Sequence, residues 1–563
     1  MAKWQFHSKT WNLPRVYNLF LHITLFFMVL EIGMELPFSV FEYPFAITGL
    51  LFFILVFRDG WGKAKERICG MGRRVRASRW MFLLLGIYIL IDAIGILYSP
   101  AKDLALTKYA VILPMAGFSV LLLYYCDSRE KIQRILLNIG ASGTFLALFT
   151  LFNYFVVELL PIPYYRRLSM LTDYNRFASV VFTSFLLLLL LLLDTKLPLI
   201  KKYAAIAALA LADCTVLSLS GSRRTYLSLI PALVIVAVFH LVRTAVRRKK
   251  AGPVLKNALA LVLVAGVAFS FNTAILRSFQ DLSDDKYEAY VEETGDPMEE
   301  NSIETIVDSI GGEGVLSKRA AIWSLALEEA SSYSPLEMLV GKGSSYEAYL
   351  YDIRSSDALD QLYAGYQPKP QYWMTPHNFL LSDFLSGGFL KLAASLAVWG
   401  CIGVILLRLL RRRPGRFLFY ATGLAIVFIN CMISGRYTYV YDKHFWLFFV
   451  LLALEWAGQL PLEEVALWCQ SRPICVCRGR RVAAAKPRRL PPEDIAFMCQ
   501  SQQKRGQRGG VVNKTQGASS SPVGARETRQ WFQLNNGRVL PAAGARATRQ
   551  CRKIKPKARL AAR

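Results

Sequence analysis

Apolar residues along this 563-residue chain come in long blocks separated by short polar connections. Each block is about 18–25 residues long, the length that an α-helix needs to cross the hydrocarbon core of a bilayer. Lipid offers the backbone no hydrogen-bond partner, so segments of this length must satisfy their own backbone as helices. The pattern predicts an all-α polytopic membrane protein with about twelve transmembrane helices. The predicted spans are roughly 16–34, 37–57, 80–98, 104–126, 135–159, 177–194, 199–219, 226–243, 254–272, 388–409, 416–434 and 444–460.

Basic residues alternate along this predicted topology. Five connections rich in Lys and Arg fall on one side of the membrane, which the positive-inside rule identifies as the cytoplasm. Both termini are then cytoplasmic, in a multi-pass protein of the inner (cytoplasmic) membrane. The first apolar block follows a basic start without a small-residue cleavage site, which predicts a retained span rather than a signal peptide. The five connections are 58–79, 127–134, 195–202, 243–256 and 408–416.

The spans divide the chain into four predicted regions. Residues 1–272 hold helices one to nine, and residues 273–387 form a large extracytoplasmic (periplasmic) loop domain. Helices ten to twelve lie in 388–460, and 461–563 is a basic cytoplasmic tail whose composition is typical of disorder. The acidic first part of the loop domain predicts a solvated, mobile lid.

The formal net charge of +27 is unevenly distributed. From Ala466 onwards there are 22 Lys and Arg against three acids, a net of +19. This tail is suited to anionic lipid head groups on the cytoplasmic side. Because the remaining charge lies mostly in membrane-flanking loops, we expect no nucleic-acid partner.

Several arginines fall on the predicted extracytoplasmic side, against the insertion bias. A pocket for phosphate is one reason to keep them there, because the guanidinium fork matches pairs of phosphate oxygens. The alternative is that exported loops simply tolerate a few arginines. The residues are Arg166, Arg167, Arg176, Arg223, Arg224 and Arg436.

His377, one of only five histidines, lies where the polar region re-enters an apolar helix. Pro376 before it biases Thr375 towards an extended backbone, and a turn there would hold the imidazole at the membrane surface. The alternative is that the His-Asn pair merely caps the next helix. The Gly341-Lys342-Gly343 sequence is more typical of a turn than of a phosphate cradle. No P-loop, Rossmann or zinc-helix spacing occurs, so we expect neither a metal nor a cofactor.

Four motifs share the predicted extracytoplasmic face: Asn175-Arg176, Ser222-Arg223-Arg224, Arg319-x-x-x-Trp323 and Pro376-His377-Asn378. Their order and spacing resemble the O-antigen ligase family (WaaL-type) and its relatives, the Wzy-type O-antigen polymerases. The resemblance covers about residues 80–460 and includes a glycine, Gly388, eleven residues after the histidine. The chain departs from the family pattern at Lys391, where a second glycine is expected, and at Arg224, where a small residue is usual.

The resemblance implies an integral-membrane glycosyltransferase that works without a metal. Its donor would be an undecaprenyl-diphosphate-linked glycan and its acceptor a sugar, with O-antigen ligation to lipid A-core in lipopolysaccharide biosynthesis favoured over polymerisation. We expect in-line attack with inversion, because arginines cluster on this face and no nucleophile-base pair is evident; His377 would either deprotonate the acceptor or contact a phosphate oxygen. The implied catalytic residues are His377, Arg319 and Arg223, and the implied substrate-binding residues are Arg224, Asn175, Arg176, Asn378, Arg166 and Arg436.

Two other functions stay open at this point. Within the resemblance, a Wzy-type O-antigen or exopolysaccharide polymerase would use the same site with a different acceptor. A transporter or lipid flippase is the alternative from a different class, because Asp92 and Asp213 fall inside predicted spans and intramembrane acids often mark ion pathways. We favour polar helix-packing contacts for both aspartates, since the chain has no inverted repeat or paired broken helices.

Overall fold

The computed structural model describes residues 13–34, 39–58, 60–157, 159, 167–169, 174–249, 251–294, 314–362, 374–433 and 438–458. These residues are overwhelmingly helical, and no strand occurs among them. They include a π-helical turn at Asn153–Val157 and a 3-10 turn at Tyr439–Tyr441. The α-helices of these ranges are α1 (Leu13–Gly33), α2 (Glu42–Arg58), α3 (Gly60–Ala77), α4 (Arg79–Tyr98), α5 (Lys102–Ala110), α6 (Ile112–Tyr125), α7 (Arg129–Phe152), α8 (Tyr174–Asp194), α9 (Leu199–Leu219), α10 (Arg223–Arg248), α11 (Ala251–Thr294), α12 (Gly314–Ser331), α13 (Pro335–Val340), α14 (Tyr346–Ile353), α15 (Asp357–Leu362), α16 (Phe379–Arg412), α17 (Pro414–Ile433) and α18 (Lys443–Ala457).

The helices confirm the predicted class of fold. Within the described ranges, ten helical segments are long and apolar enough to cross a membrane, and α2 is a shorter apolar helix. A described helix overlaps each predicted span. The protein is therefore an all-α polytopic membrane protein, whereas the number of twelve spans and the loop domain stay predictions. The predicted tail, 461–563, lies outside the described residues.

Apolar side chains cover the outer surface of several helices. On α11, Leu259, Val262, Leu263 and Phe269 are 67–75% exposed. A water-soluble protein rarely leaves a continuous apolar face of this kind uncovered. These side chains are suited to contact with lipid.

The α11 helix continues well beyond the predicted span 254–272. It contains no glycine or proline between Gly266 and its end at Thr294, and Gly295 follows directly. This stretch therefore lacks the two residue types that most strongly disfavour a helix. The first part of the predicted acidic lid is therefore helical, and residues 295–313 lie outside the described ranges.

The α16 helix begins before the predicted tenth span and contains a break. Asn378 caps it, because its side-chain oxygen accepts hydrogen bonds from the backbone of Leu380 at 3.0 Å and Leu381 at 3.4 Å. At Gly388 the backbone leaves helical geometry, with φ 60° and ψ −158°. The predicted boundary between the loop domain and helix ten therefore falls at a break inside one helical element.

The described part of the predicted loop domain packs on the first half of α16. Ile322 and Leu325 of α12, Leu350 and Tyr351 of α14, and Leu385 of α16 are at most 1% exposed and share one apolar cluster. This cluster fixes α12 and α14 above the break at Gly388.

Candidate functional site

The turn between α13 and α14 supplies the backbone hydrogen-bond donors that are missing at the break in α16. At such a break, the preceding carbonyls lose their helical donors and need others, because lipid supplies none. The backbone N–H of Lys342 donates to the carbonyl of Leu385 at 3.1 Å, and that of Gly343 donates to Ser386 at 3.0 Å. The loop and the membrane helix thus complete each other's backbone hydrogen bonding.

Both glycines of this turn are required by its geometry. Gly341 and Gly343 have φ of 69° and 101°, a region that residues with a Cβ adopt at a cost. A Cβ on Gly341 would lie 2.4 Å from the Gly387 nitrogen, and one on Gly343 would lie 2.6 Å from the Ser99 Cα. The Gly-x-Gly sequence is therefore a packing turn wedged between α4 and α16, as expected, and not a phosphate cradle.

A buried ion cluster lies one turn further along α16. Lys391 Nζ is 2.5 Å from Asp92 Oδ1 and 3.8 Å from Asp383 Oδ1, and all three residues are at most 3% exposed. Tyr441 donates a hydrogen bond to Asp92 Oδ2, and Ser344 donates one to Oδ1 at 2.8 Å. Lys391, the departure from the family pattern, thus ties α4 to α16 instead of allowing a glycine contact.

Asp213, the other intramembrane acid, accepts a hydrogen bond from Thr144 at 2.8 Å. Both Asp92 and Asp213 therefore make polar contacts between helices, in agreement with the interpretation favoured from the sequence.

Glu329 organises the polar surface of the extramembrane helices. Its Oε1 accepts from Lys342 Nζ at 2.5 Å and from the Tyr346 hydroxyl at 2.6 Å, and its Oε2 accepts from Arg354 at 2.7 Å. Burial raises the pKa of the Glu329 carboxyl, but these three donors outweigh burial and hold its pKa below the ordinary value. One carboxylate therefore fastens α12 to the glycine turn and to α14.

Two of the sequence motifs meet at the start of α16. Trp323 Nε1, one helical turn after Arg319, donates a hydrogen bond to the Pro376 carbonyl at 2.9 Å. His377, the next residue, is half-buried and has φ 53°, an uncommon conformation for a residue with a side chain. Strained backbone of this kind concentrates at functional sites, and here Trp323 and the Asn378 cap hold it from both sides.

The other two motifs meet at the start of α8 and α10. The Ser222 hydroxyl donates to Asn175 Oδ1 at 2.9 Å, and Ser222 is fully buried at the N-cap of α10. Arg176, beside Asn175, is exposed. Arg223 and Arg224 are the first two residues of α10, where only their backbone is described. Two further predicted site residues, Arg166 and Arg436, lie outside the described residues.

The starts of α8, α10 and α16 share an unusual electrostatic pattern. None of the three has an acidic residue in its first turn, and each carries a basic residue or histidine there or just before it. A helix N-terminus already has a partial positive charge, which acidic residues commonly balance. At the start of α10, Arg223 and Arg224 add to this charge, so this helix start favours an anion, whereas Asp173 directly precedes α8 in the sequence.

A cavity of about 280 Å³ adjoins the start of α8. Of the predicted site residues, Arg176 lines it. Lys108, also in its wall, forms an ion pair with Glu347 at 2.9 Å, and Lys443 pairs with Glu31. Sequence reasoning missed both lysines, although each lies in the first turns of a helix that begins on the predicted extracytoplasmic side.

Arg167 is one of the arginines on the predicted extracytoplasmic side and is not among the site residues that the resemblance implies. It is 6% exposed, and its guanidinium carbon lies 4.3 Å from the centre of the Tyr174 ring, just before Asn175. Such cation–π packing orients the guanidinium group of Arg167 beside the start of α8.

No group of three or more His, Cys, Asp or Glu side chains within the described ranges could hold a metal ion. The absence of a metal from the reaction stays an expectation.

The fold defines the class, an all-α polytopic membrane protein. In comparisons with known proteins, the chain matches no family model and no curated sequence. The resemblance to the O-antigen ligase family therefore rests on its motifs and on the two motif contacts described above, and what it implies is a proposal.

Proposed function

We propose that this protein is an integral-membrane glycosyltransferase of the inner membrane. It transfers a glycan from an undecaprenyl-diphosphate donor to a sugar acceptor on the extracytoplasmic, periplasmic face. The observation that carries the proposal is the pairing of the four motifs. A hydrogen bond from Ser222 to Asn175 joins the first two motifs, and one from Trp323 to Pro376 joins the last two. Motifs that are far apart in sequence thus form two neighbouring pairs.

The negative charge of the leaving group gives a function to the basic residues at the helix starts. As the glycosidic bond breaks, negative charge grows on the bridging oxygen of the diphosphate. Positive groups that are held in place beforehand stabilise this charge more than water does. We assign this role to Arg223 and Arg319, with Arg224 as the alternative to Arg223. Asn175 and Arg176 are assigned to donor binding at the neighbouring helix start, as are Arg166 and Arg436 by the resemblance.

His377 is assigned to the acceptor. An imidazole titrates near neutral pH and can remove the proton of the attacking hydroxyl. Its turn conformation, fixed by the Trp323–Pro376 contact, keeps it at the start of α16. Asn378 uses its side-chain oxygen to cap α16, so we assign it to positioning His377 rather than to direct contact with the glycan.

The two candidate enzymes, a ligase and a polymerase, differ in the acceptor that receives the glycan. We favour a ligase that transfers the glycan to lipid A-core, because a large loop region and a His-Asn pair are typical of the ligase branch. A polymerase would transfer the glycan to another lipid-linked repeat and would use the same residues.

The buried ion cluster is the observation on which a transport function would rest. Both carboxylate oxygens of Asp92 accept hydrogen bonds, from Lys391, Ser344 and Tyr441. The backbone turn that contributes Ser344 fills the space between α4 and α16. A pathway for ions would need this space, so we assign the cluster to stability.

The test is transfer by purified full-length protein in proteoliposomes that contain the lipid-diphosphate donor and lipid A-core. We expect wild type to transfer glycan, and His377→Ala and Arg319→Ala to lose at least about a hundredfold in rate. Arg412→Ala, an exposed arginine at the other end of α16, is the control and should retain full activity. Lengthening of the lipid-linked glycan would identify the polymerase, and equal activity of all variants would refute this site.

A further inference from the structure

A second charged cavity, of about 600 Å³, lies at the opposite ends of the membrane helices, on the predicted cytoplasmic side. Five arginines and one aspartate contribute to its wall, a net of +4. They come from the start of α7, the end of α8, the end of α10 and the turn between α16 and α17. These residues are Arg129, Arg243, Arg247, Arg413, Arg416 and Asp194.

Part of this positive charge is left without a counter-ion. Arg243 pairs with Asp194 at 2.7 Å, and Arg413 lies 3.5 Å from a carboxylate oxygen of Glu455. In the part of the chain that the structure describes, no carboxylate pairs with Arg129, Arg247 or Arg416. Nη1 of Arg416 is buried and has no hydrogen-bond partner there. Burying such a donor costs free energy unless a ligand accepts from it.

The start of α17 strengthens the attraction for an anion. Pro414 and Gly415 begin this 20-residue helix, and its first turn contains no acid. A Cβ on Gly415 would lie 3.2 Å from Arg243 Nη1, so the glycine lets this guanidinium group pack directly against the turn. The partial positive charge of the helix start thus adds to that of Arg243 and Arg416.

The remaining wall is apolar and faces outward. Val242 and Val246 of α10 line the cavity and are 56% and 70% exposed, on a helix that is apolar enough to span the membrane. A soluble anion gains nothing from such a wall. A phospholipid does, because its acyl chains can lie along α10 while its head group enters the cavity. Basic pockets between membrane helices on the cytoplasmic side are known to suit phospholipid head groups.

We propose that this cavity binds an anionic phospholipid through its head-group phosphates. Three arginines of the wall have no carboxylate partner among the described residues, and together with the start of α17 they match a head group with two phosphates better than one with a single phosphate. The site is separate from the proposed transfer site, because it is formed by the other ends of the helices.

The test is a lipid titration of full-length protein in detergent, with bound lipid counted by native mass spectrometry. Cardiolipin is the probe with two phosphates, and phosphatidylglycerol and phosphatidylcholine are run in parallel. We expect cardiolipin to bind most tightly and Arg247→Gln/Arg416→Gln to weaken its binding about thirtyfold. The control Arg411→Gln/Arg412→Gln removes the same charge from the adjoining basic run, outside the cavity, and should change the affinity less than about twofold.

Three results would overturn the proposal. Equal weakening by the two double variants would mean that only general surface charge attracts the lipid. Displacement of cardiolipin by inorganic pyrophosphate at a similar concentration would identify a soluble anion as the ligand. Equal binding of phosphatidylglycerol and cardiolipin would contradict the match to two phosphates. Thermal unfolding of both double variants at the wild-type temperature would show that altered folding does not account for the difference.

Discussion

The buried pair of Lys391 and Asp92 permits a quantitative test of how α4 and α16 are held together. We consider Lys391→Met, which keeps most of the length of the side chain and removes its charge. The substitution leaves Asp92 and Asp383 as two buried carboxylates without their ammonium partner. Removal of one partner from a buried ion pair is strongly destabilising, because the remaining charge is neither solvated nor paired.

The magnitude follows from the distances. At 2.5 Å and an effective dielectric constant of about 20, the attraction of Lys391 to Asp92 is about 7 kcal/mol before desolvation. Desolvation of the ions cancels much of this, and loss of one partner typically costs about 3–5 kcal/mol. A second carboxylate at 3.8 Å places the expected loss near the upper end of that range.

The assay is denaturant unfolding of full-length protein in mixed micelles, followed by tryptophan fluorescence. Asp92→Asn should cost less than Lys391→Met, about 1–3 kcal/mol, because Asp383 remains as a counter-ion and Tyr441 and Ser344 still have a polar partner. The double variant should lose less than the sum of the single variants, with a coupling of about 1–3 kcal/mol.

Lys256→Met is the matched control, since Lys256 is exposed on α11. It should change the free energy of unfolding by less than about 0.5 kcal/mol. If Lys391→Met costs no more than this control, or if the two substitutions are simply additive, the pair does not hold the helices together and our reasoning is wrong.

Three further variants test the surroundings of the proposed site. Gly343→Ala should destabilise by about 2–4 kcal/mol in the same assay, because its new methyl group would meet the Ser99 backbone at a positive φ; an Ala at exposed Gly252, where nothing lies within 4 Å, is the control. Glu329→Gln should cost about 2–3 kcal/mol at neutral pH. The pKa of Glu329 in the folded protein lies below its ordinary value of 4.5, so the stabilising contribution of its carboxylate should persist above pH 4.5 and disappear as the pH falls through the lower folded pKa. A pH series of thermal unfolding would show this loss in wild type. If Glu329→Gln has the same pH profile as wild type, the assignment is wrong. Asn378→Ala should lose about 1 kcal/mol together with transfer activity, whereas Asn378→Asp, which keeps the capping oxygen, should retain stability; equal loss in both would argue against the cap.

Part of the candidate site was predictable from local sequence. An apolar helix that starts after Asn or Ser with no acid nearby is visible without a structure, and so are the arginines beside Asn175 and Ser222. That these two side chains share a hydrogen bond required the fold, because 47 residues separate them. The same holds for Trp323 and Pro376, which are 53 residues apart.

The start of the loop region also differs from the predicted end of the ninth span, for a physical reason. Acidic residues after Phe271 predicted a solvated lid, but α11 continues to Thr294, and no glycine or proline interrupts it after Gly266. Charge indicates solvent exposure and does not by itself end a helix.

The sequence by itself determined that this is an all-α membrane protein and which apolar blocks are helical, because the backbone of an apolar block in lipid has no alternative to a helix. Only the tertiary structure decided what Lys391 and Gly388 do. A lysine in an apolar helix is stable only with a buried counter-ion, and Asp92, which supplies it, is 299 residues away. A glycine break in a membrane helix likewise needs donors from elsewhere, which the turn at Lys342 and Gly343 provides. Which residues meet these needs depends on how the helices pack, and local patterns carry no information about that.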